Sequence, residues 1–137
     1  MFRVVLDTNV LVSAIISDGK SRELLKKGIA NQYSIVMSDL ILKELITVLR
    51  RPKFDLSEDE LQRTILALIR TAEVVNVKTK IKVVKEDPKD DMIIETAIDG
   101  CADTIVTGDN HLLVLKCFRG IKVTTVENML ASLQTLP

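Results

Sequence analysis

Aromatic residues are scarce in this chain: 3% of 137, with no Trp and one Tyr, Tyr33. That argues against nucleic-acid binders that stack bases on aromatic platforms. No charge of one sign prevails, because 19 Lys and Arg face 19 Asp and Glu. A wholly basic coat for nucleic acid is excluded, while local basic patches are not. Long hydrophobic runs are missing too; the longest, residues 65–69, is far too short to cross a bilayer. Asp7 interrupts the apolar start, so no signal-peptide core forms and a cytoplasmic location is expected. Two cysteines without a CxxC, and a single His, support neither a disulfide framework nor a zinc site; Cys101 and Cys117 are expected as buried, reduced thiols. Phosphate-binding glycine loops of the GxxxxGK[ST] or GxGxxG kind are absent. So is any nucleophile motif pairing His111 with Ser or Cys.

What is there reads as an alternation. Apolar, β-branched runs at 2–6, 34–37, 73–77, 104–107 and 121–124 predict strands. Several are continuously apolar, as strands buried on both faces are. Helical patterns lie between them at 9–16, 21–28, 39–50, 57–70, 90–101, just after Asp109, and at 126–133. Ser57-Glu58-Asp59-Glu60 is a capping box, and Pro52 stops the helix before it. No linker or repeat divides the chain, so a single domain over 1–137 is expected. Its fold class is α/β, a three-layer α/β/α sandwich around a central parallel sheet of about five strands.

The acids stand where such a sheet would place a site. Asp7 and Asp109 each follow an apolar strand, and ligands of open parallel sheets bind beyond the strands' carboxyl ends. Either acid alone reads more simply as a turn or helix-cap residue. Asp90 and Asp91 open a helix after Glu86 and Asp87, which is more acid than a cap needs. At 100° per residue, Glu44 falls on the margin of the apolar stripe of helix 39–50, where a carboxylate needs a partner such as Arg51 or a cation. Acids converging from four segments would require neutralisation. All-oxygen donors favour Mg²⁺ or Mn²⁺, which suit in-line phosphoryl displacement. Lys43, Arg50, Arg51 and Lys53 give a local basic stretch, and Lys78, Lys80, Lys82 and Lys85 alternate, so both could grip phosphates. His111, near a helix start, is expected as a structural residue.

With these residues in view, the sequence resembles the PIN-domain family of ribonucleases, which includes the VapC-type toxins of toxin–antitoxin systems. The similarity runs through Leu6-Asp7-Thr8-Asn9-Val10-Leu11, Ser38-Asp39-Leu40-Ile41-Leu42-Lys43-Glu44-Leu45, Arg50-Arg51-Pro52-Lys53-Phe54, Asp87-Pro88-Lys89-Asp90-Asp91 and Thr104-Ile105-Val106-Thr107-Gly108-Asp109. The Arg-Arg-Pro-Lys-Phe stretch points to the subgroup described as PIN-family toxin components. The resemblance implies a metal-dependent endoribonuclease that uses Mg²⁺ or Mn²⁺ and leaves 5′-phosphate and 3′-hydroxyl ends. Asp7, Glu44, Asp90 and Asp109 would be catalytic and metal-binding, with Asp91 contributing beside Asp90. Asn9, Ser38 and Thr107 would orient them, and Arg50, Arg51 and Lys53 would bind RNA. A homodimer and a small antitoxin partner are also implied. His111 stands where the family often has a further acid. Competing readings are a catalytically silent PIN-fold RNA-binding scaffold and a receiver-like phospho-acceptor, though Lys122 is poorly placed for the latter. A haloacid-dehalogenase-like phosphatase would need Asp-x-Asp where Asp7-Thr8-Asn9 stands.

Overall fold

The computed structural model describes residues 1–84 and 88–135; Lys85, Glu86 and Asp87 of the sequence reading lie outside the described residues. One six-stranded sheet is built from β1 (Arg3–Leu6), β2 (Ser34–Ser38), β3 (Glu73–Val75), β4 (Thr104–Val106), β5 (Cys117–Phe118) and β6 (Ile121–Thr124). Its order is β3-β2-β1-β4-β6-β5, all neighbours parallel except the β5–β6 pair. The helices are α1 (Thr8–Ile16), α2 (Lys20–Ile29), α3 (Asp39–Leu49), α4 (Glu58–Thr71), α5 (Pro88–Asp99), α6 (Asn110–Leu113) and α7 (Val126–Gln134). None of them is long and apolar enough to cross a membrane.

The α/β sandwich expected from the alternation is the fold observed, with six strands rather than about five. The sixth, β5, is two residues long and carries no periodicity to read. It exists because Arg119 and Gly120 both adopt left-handed backbone, φ 50° and 82°, as a tight hairpin turn requires. In β1, Val4, Val5 and Leu6 are at most 2% exposed, so both faces of the strand are covered. Tyr33 is fully buried, and its hydroxyl donates to the Leu24 carbonyl at 2.7 Å.

Both cysteines are exposed, contrary to the sequence expectation. Cys101 has left-handed backbone (φ 52°) just beyond α5, where its N–H donates to Ile98 and that of Ala102 to Ala97, closing the helix with a Schellman motif. Cys117 lies on the edge strand. The adjacent Gly100 is needed for a different reason, close approach. A Cβ there would stand 2.4 Å from Val36 Cγ1 on β2 and 3.0 Å from the Thr96 carbonyl oxygen.

Helix α5 also secures the extended segment before it through side chains. Asp91 Oδ1 accepts from the N–H groups of Val83 and Val84 at 2.9 and 2.8 Å, and Glu95 Oε2 accepts from Ile81 at 3.0 Å. Asp99 Oδ2 accepts from Lys78 and Thr79 at 2.7 and 2.9 Å. The spacing 91, 95, 99 places these carboxylates on one helix face. They take the place of a neighbouring strand for residues 78–84, whose side chains alternate so that Lys78, Lys80 and Lys82 are exposed.

Two outcomes follow from this packing. Gly100→Ala should destabilise the fold by about 1–3 kcal/mol through overpacking against Val36, read as a lower denaturant midpoint. The Thr79 hydroxyl, and then the N–H groups of Thr79 and Lys78, hold Asp99 below the usual carboxylate range. The stability this contributes is fully present above the unfolded-state value of 3.8 and is lost as pH falls through the lower folded-state value. Asp99→Asn should therefore flatten the acid limb of stability against pH, measured by denaturation from pH 2 to 6.

Candidate metal centre

The order β3-β2-β1-β4-β6 makes the chain leave β1 in one direction and return on its other side as β4. A crevice opens where those two carboxyl ends diverge. Asp7 is the first residue past β1, and its N–H is held by the Val106 carbonyl of β4 at 2.9 Å. Asp109 lies three residues past β4. Glu44 comes in from α3 and Asp90 from α5. All four acids line one cavity of about 220 Å³, together with the cations Arg51 and Lys89.

Asp7 is 6% exposed. It occupies the cap position of α1, yet its carboxylate makes no capping hydrogen bond. Its Oδ2 accepts instead from the Thr107 hydroxyl at 2.6 Å, and the Thr107 oxygen accepts in turn from the Asp109 N–H at 3.0 Å. One buried Thr thus braces two acids. Burial pushes the Asp7 carboxyl above its ordinary range, and the nearby charge of Asp109 adds to the rise, against the lowering effects of the Thr107 hydroxyl and of the nearby Asn9 and Thr8 backbone N–H groups. Asp109 does serve as a cap: its Oδ1 accepts from His111 N–H at 2.8 Å.

Glu44 is half-buried, as its place on the stripe margin predicts. Its oxygens lie 3.4 Å from the Thr8 hydroxyl, which donates, and 3.9 Å from Lys89 Nζ. Lys89 was not singled out in the sequence; its position one residue before Asp90 is the only signal.

The adjacent pair Asp90 and Asp91 divides. Both are buried, but 100° of helix rotation separates them. Asp90 lines the cavity; Asp91 does not, and its Oδ1 is taken by Val83 and Val84. The three expected orienting residues also differ. Thr107 touches the acids directly, and Asn9 lines the cavity. Ser38 is fully buried away from it: Ser38 caps α3 by accepting from Ile41 N–H at 3.2 Å and lies 2.7 Å from the Thr96 hydroxyl of α5. It fixes the two helices that carry Glu44 and Asp90. Of the three basic residues, Arg51 lines the cavity. Arg50 instead pairs with Glu58 at 3.3 Å, and the Lys53 ammonium sits over the Phe54 ring at 5.0 Å. Lys122 lies inside β6, in register with Thr104, not at a strand end where a phospho-acceptor site needs it.

The donor chemistry fits a divalent cation. Four carboxylates share the cavity, and ligand atoms of Asp90, Asp109 and His111 lie within 4.8 Å of one another. Metal-free, these charges repel, and Asp7 resists ionisation.

A family model of the PIN domain matches residues 3–111, which include all four acids. The chain belongs to the PIN-domain family. PIN domains are generally nucleases and typically use divalent metals. Among solved structures, a chain of VapBC2 from Rickettsia felis, crystallised with a DNA fragment from the promoter, is 19% identical at a TM-score of 0.60, covering 90% of this chain and 98% of that one. PAE2754 from Pyrobaculum aerophilum is 15% identical at 0.64, covering 98% and 91%. At these identities the likeness is one of fold. No curated protein matches the chain.

The raised Asp7 value has a consequence for the metal-free PIN domain. Its folded state favours the protonated acid, so stability falls as pH rises from 3.8 through the higher folded-state value. Asp7→Asn removes that cost. In EDTA at neutral pH the variant should melt higher than wild type, with the gap closing at low pH. Added Mn²⁺ should raise the melting temperature of wild type and leave Asp7→Asn nearly unmoved.

Proposed function

We propose that this PIN domain is a divalent-metal-dependent endoribonuclease that hydrolyses RNA phosphodiesters and acts as the toxin of a toxin–antitoxin pair. The observation that carries the reading is the meeting of Asp7, Glu44, Asp90 and Asp109, from four separate segments, in one cavity rimmed by Arg51 and Lys89. Mg²⁺ or Mn²⁺, when bound, supplies positive charge that activates a water and stabilises the leaving oxygen. Asp7, Asp90 and Asp109 would hold the cation. Thr107 fixes the spacing of Asp7 and Asp109, so little reorganisation is needed on loading. Glu44, poised by Thr8, takes the proton of the attacking water. Arg51 and Lys89 draw the substrate phosphate to an otherwise negative pocket. The water oxygen would bond to phosphorus as the phosphorus–O3′ bond breaks, and the departing 3′ oxygen would take a proton from solvent, giving 5′-phosphate and 3′-hydroxyl ends. The resemblance to VapC-type toxins supports a small antitoxin partner and a homodimer. The apolar groove formed by Ile46, Leu61, Ile65 and Leu66 between α3 and α4 is a surface suited to a protein partner.

The test is incubation of purified protein with RNA and with single-stranded DNA, in Mn²⁺ or in EDTA, followed by end mapping. RNA cleavage with 5′-phosphate ends, abolished by EDTA, is expected. Asp7→Asn and Asp90→Asn should lose more activity than the roughly 10–100-fold typical of residues that only orient ligands. Asp91→Asn should stay closer to wild type while losing stability. Undiminished cleavage by Asp7→Asn would reject the site, and cleavage of DNA alone would reject the substrate.

A further inference from the structure

We infer that a ring nitrogen of His111 is a ligand of the ion held by Asp90 and Asp109, and that it biases this centre toward first-row transition-metal ions over Mg²⁺. The inference rests on the metal-site reading above and concerns a residue that reading leaves without a role. His111 is the chain's only histidine. It is not packed into the core; its side chain is 52% exposed beside the acid cavity. Its backbone N–H is bound by Asp109 Oδ1 at 2.8 Å, which ties the two residues to one turn. Its Nδ1 stands 3.6 Å from that same oxygen, too far for a hydrogen bond.

A distance that is too long for a direct bond suits two ligands of one ion. Donors at about 2.0–2.2 Å from a shared cation lie roughly 3 Å apart when adjacent and about 4.3 Å apart when opposite. The donor atoms of Asp90, Asp109 and His111 all lie within 4.8 Å of one another. A contraction of roughly half an ångström, which a cation between two carboxylates would itself drive, closes the set.

The consequence is selectivity. Mg²⁺ is hard, demands oxygen donors and gives up its waters reluctantly. Replacing one oxygen ligand by imidazole costs Mg²⁺ most and favours ions along the series from Mn²⁺ upward. Sequence reasoning treats the residue at 111 as structural because a lone His beside a helix start usually is. The signal that it is not is a ring nitrogen within 4.8 Å of a carboxylate oxygen of Asp90, a residue far from it in the sequence.

The experiment uses the full chain, Mn²⁺ and Mg²⁺. Pulsed electron paramagnetic resonance on the Mn²⁺-loaded protein should show ¹⁴N coupling from a directly bound imidazole, changed by ¹⁵N-histidine labelling and absent in His111→Ala. Calorimetric titration should show weaker Mn²⁺ binding in His111→Ala. His111→Asp should restore binding without nitrogen coupling and lower the Mn²⁺-over-Mg²⁺ preference by roughly 10-fold. Circular dichroism confirms that the variants are folded. Mn²⁺ binding that Asp109→Asn abolishes but that shows no nitrogen coupling would overturn this inference alone. Absence of Mn²⁺ binding at the acid cavity would overturn both this inference and the metal-site reading.

Discussion

The structure turns on one conflict of charge: four carboxylates brought to a single crevice at the carboxyl ends of β1 and β4, with Asp7 buried among them. Burying a carboxylate is unfavourable unless charge and hydrogen bonds compensate. Thr107 compensates in part, and Arg51 and Lys89 lower the net charge without cancelling it. Burial still pushes the Asp7 carboxyl above its ordinary range, and the charge of Asp109 adds to the rise. A residual cost of this kind at the topological switch point of a sheet marks a candidate functional site, and a bound cation would remove it.

The fold serves this arrangement by dividing labour among neighbouring acids. On α5, Asp90 faces the crevice while Asp91, Glu95 and Asp99 turn away from it and secure residues 78–84 by their backbone N–H groups. The same helix is pressed against β2 at Gly100 and linked to α3 through Thr96 and Ser38. The placement of Asp90 and Glu44 is therefore set by the core, through contacts that never touch the site.

Much of this was legible in the sequence. Continuous apolar runs ending in Asp7 and Asp109 encode both the parallel strands and the site at their ends, and helical periodicity alone puts Glu44 at the rim of a buried stripe. What escaped was tertiary. Adjacent Asp90 and Asp91 look alike until the extended segment that claims Asp91 is in place. Arg50 and Arg51 look alike until α4 presents Glu58 to Arg50. Lys89 gains significance only from what stands across the cavity, and His111, though it stands where the family often has a further acid, only from its nearness to Asp90 and Asp109. The exposed cysteines and the two-residue β5 follow from left-handed backbone at Cys101, Arg119 and Gly120, and only Gly120 announces it by residue type.

The central claim is that these remote carboxylates share a cation, and the most direct measurement is anomalous diffraction from crystals of the protein grown with Mn²⁺. The account expects an anomalous peak within coordination distance of the carboxylates of Asp7, Asp90 and Asp109, with the Asp91 carboxylate still bonded to Val83 and Val84. A peak elsewhere on the molecule with that crevice filled only by water, or an ion held by Asp91 in place of Asp90, would contradict it.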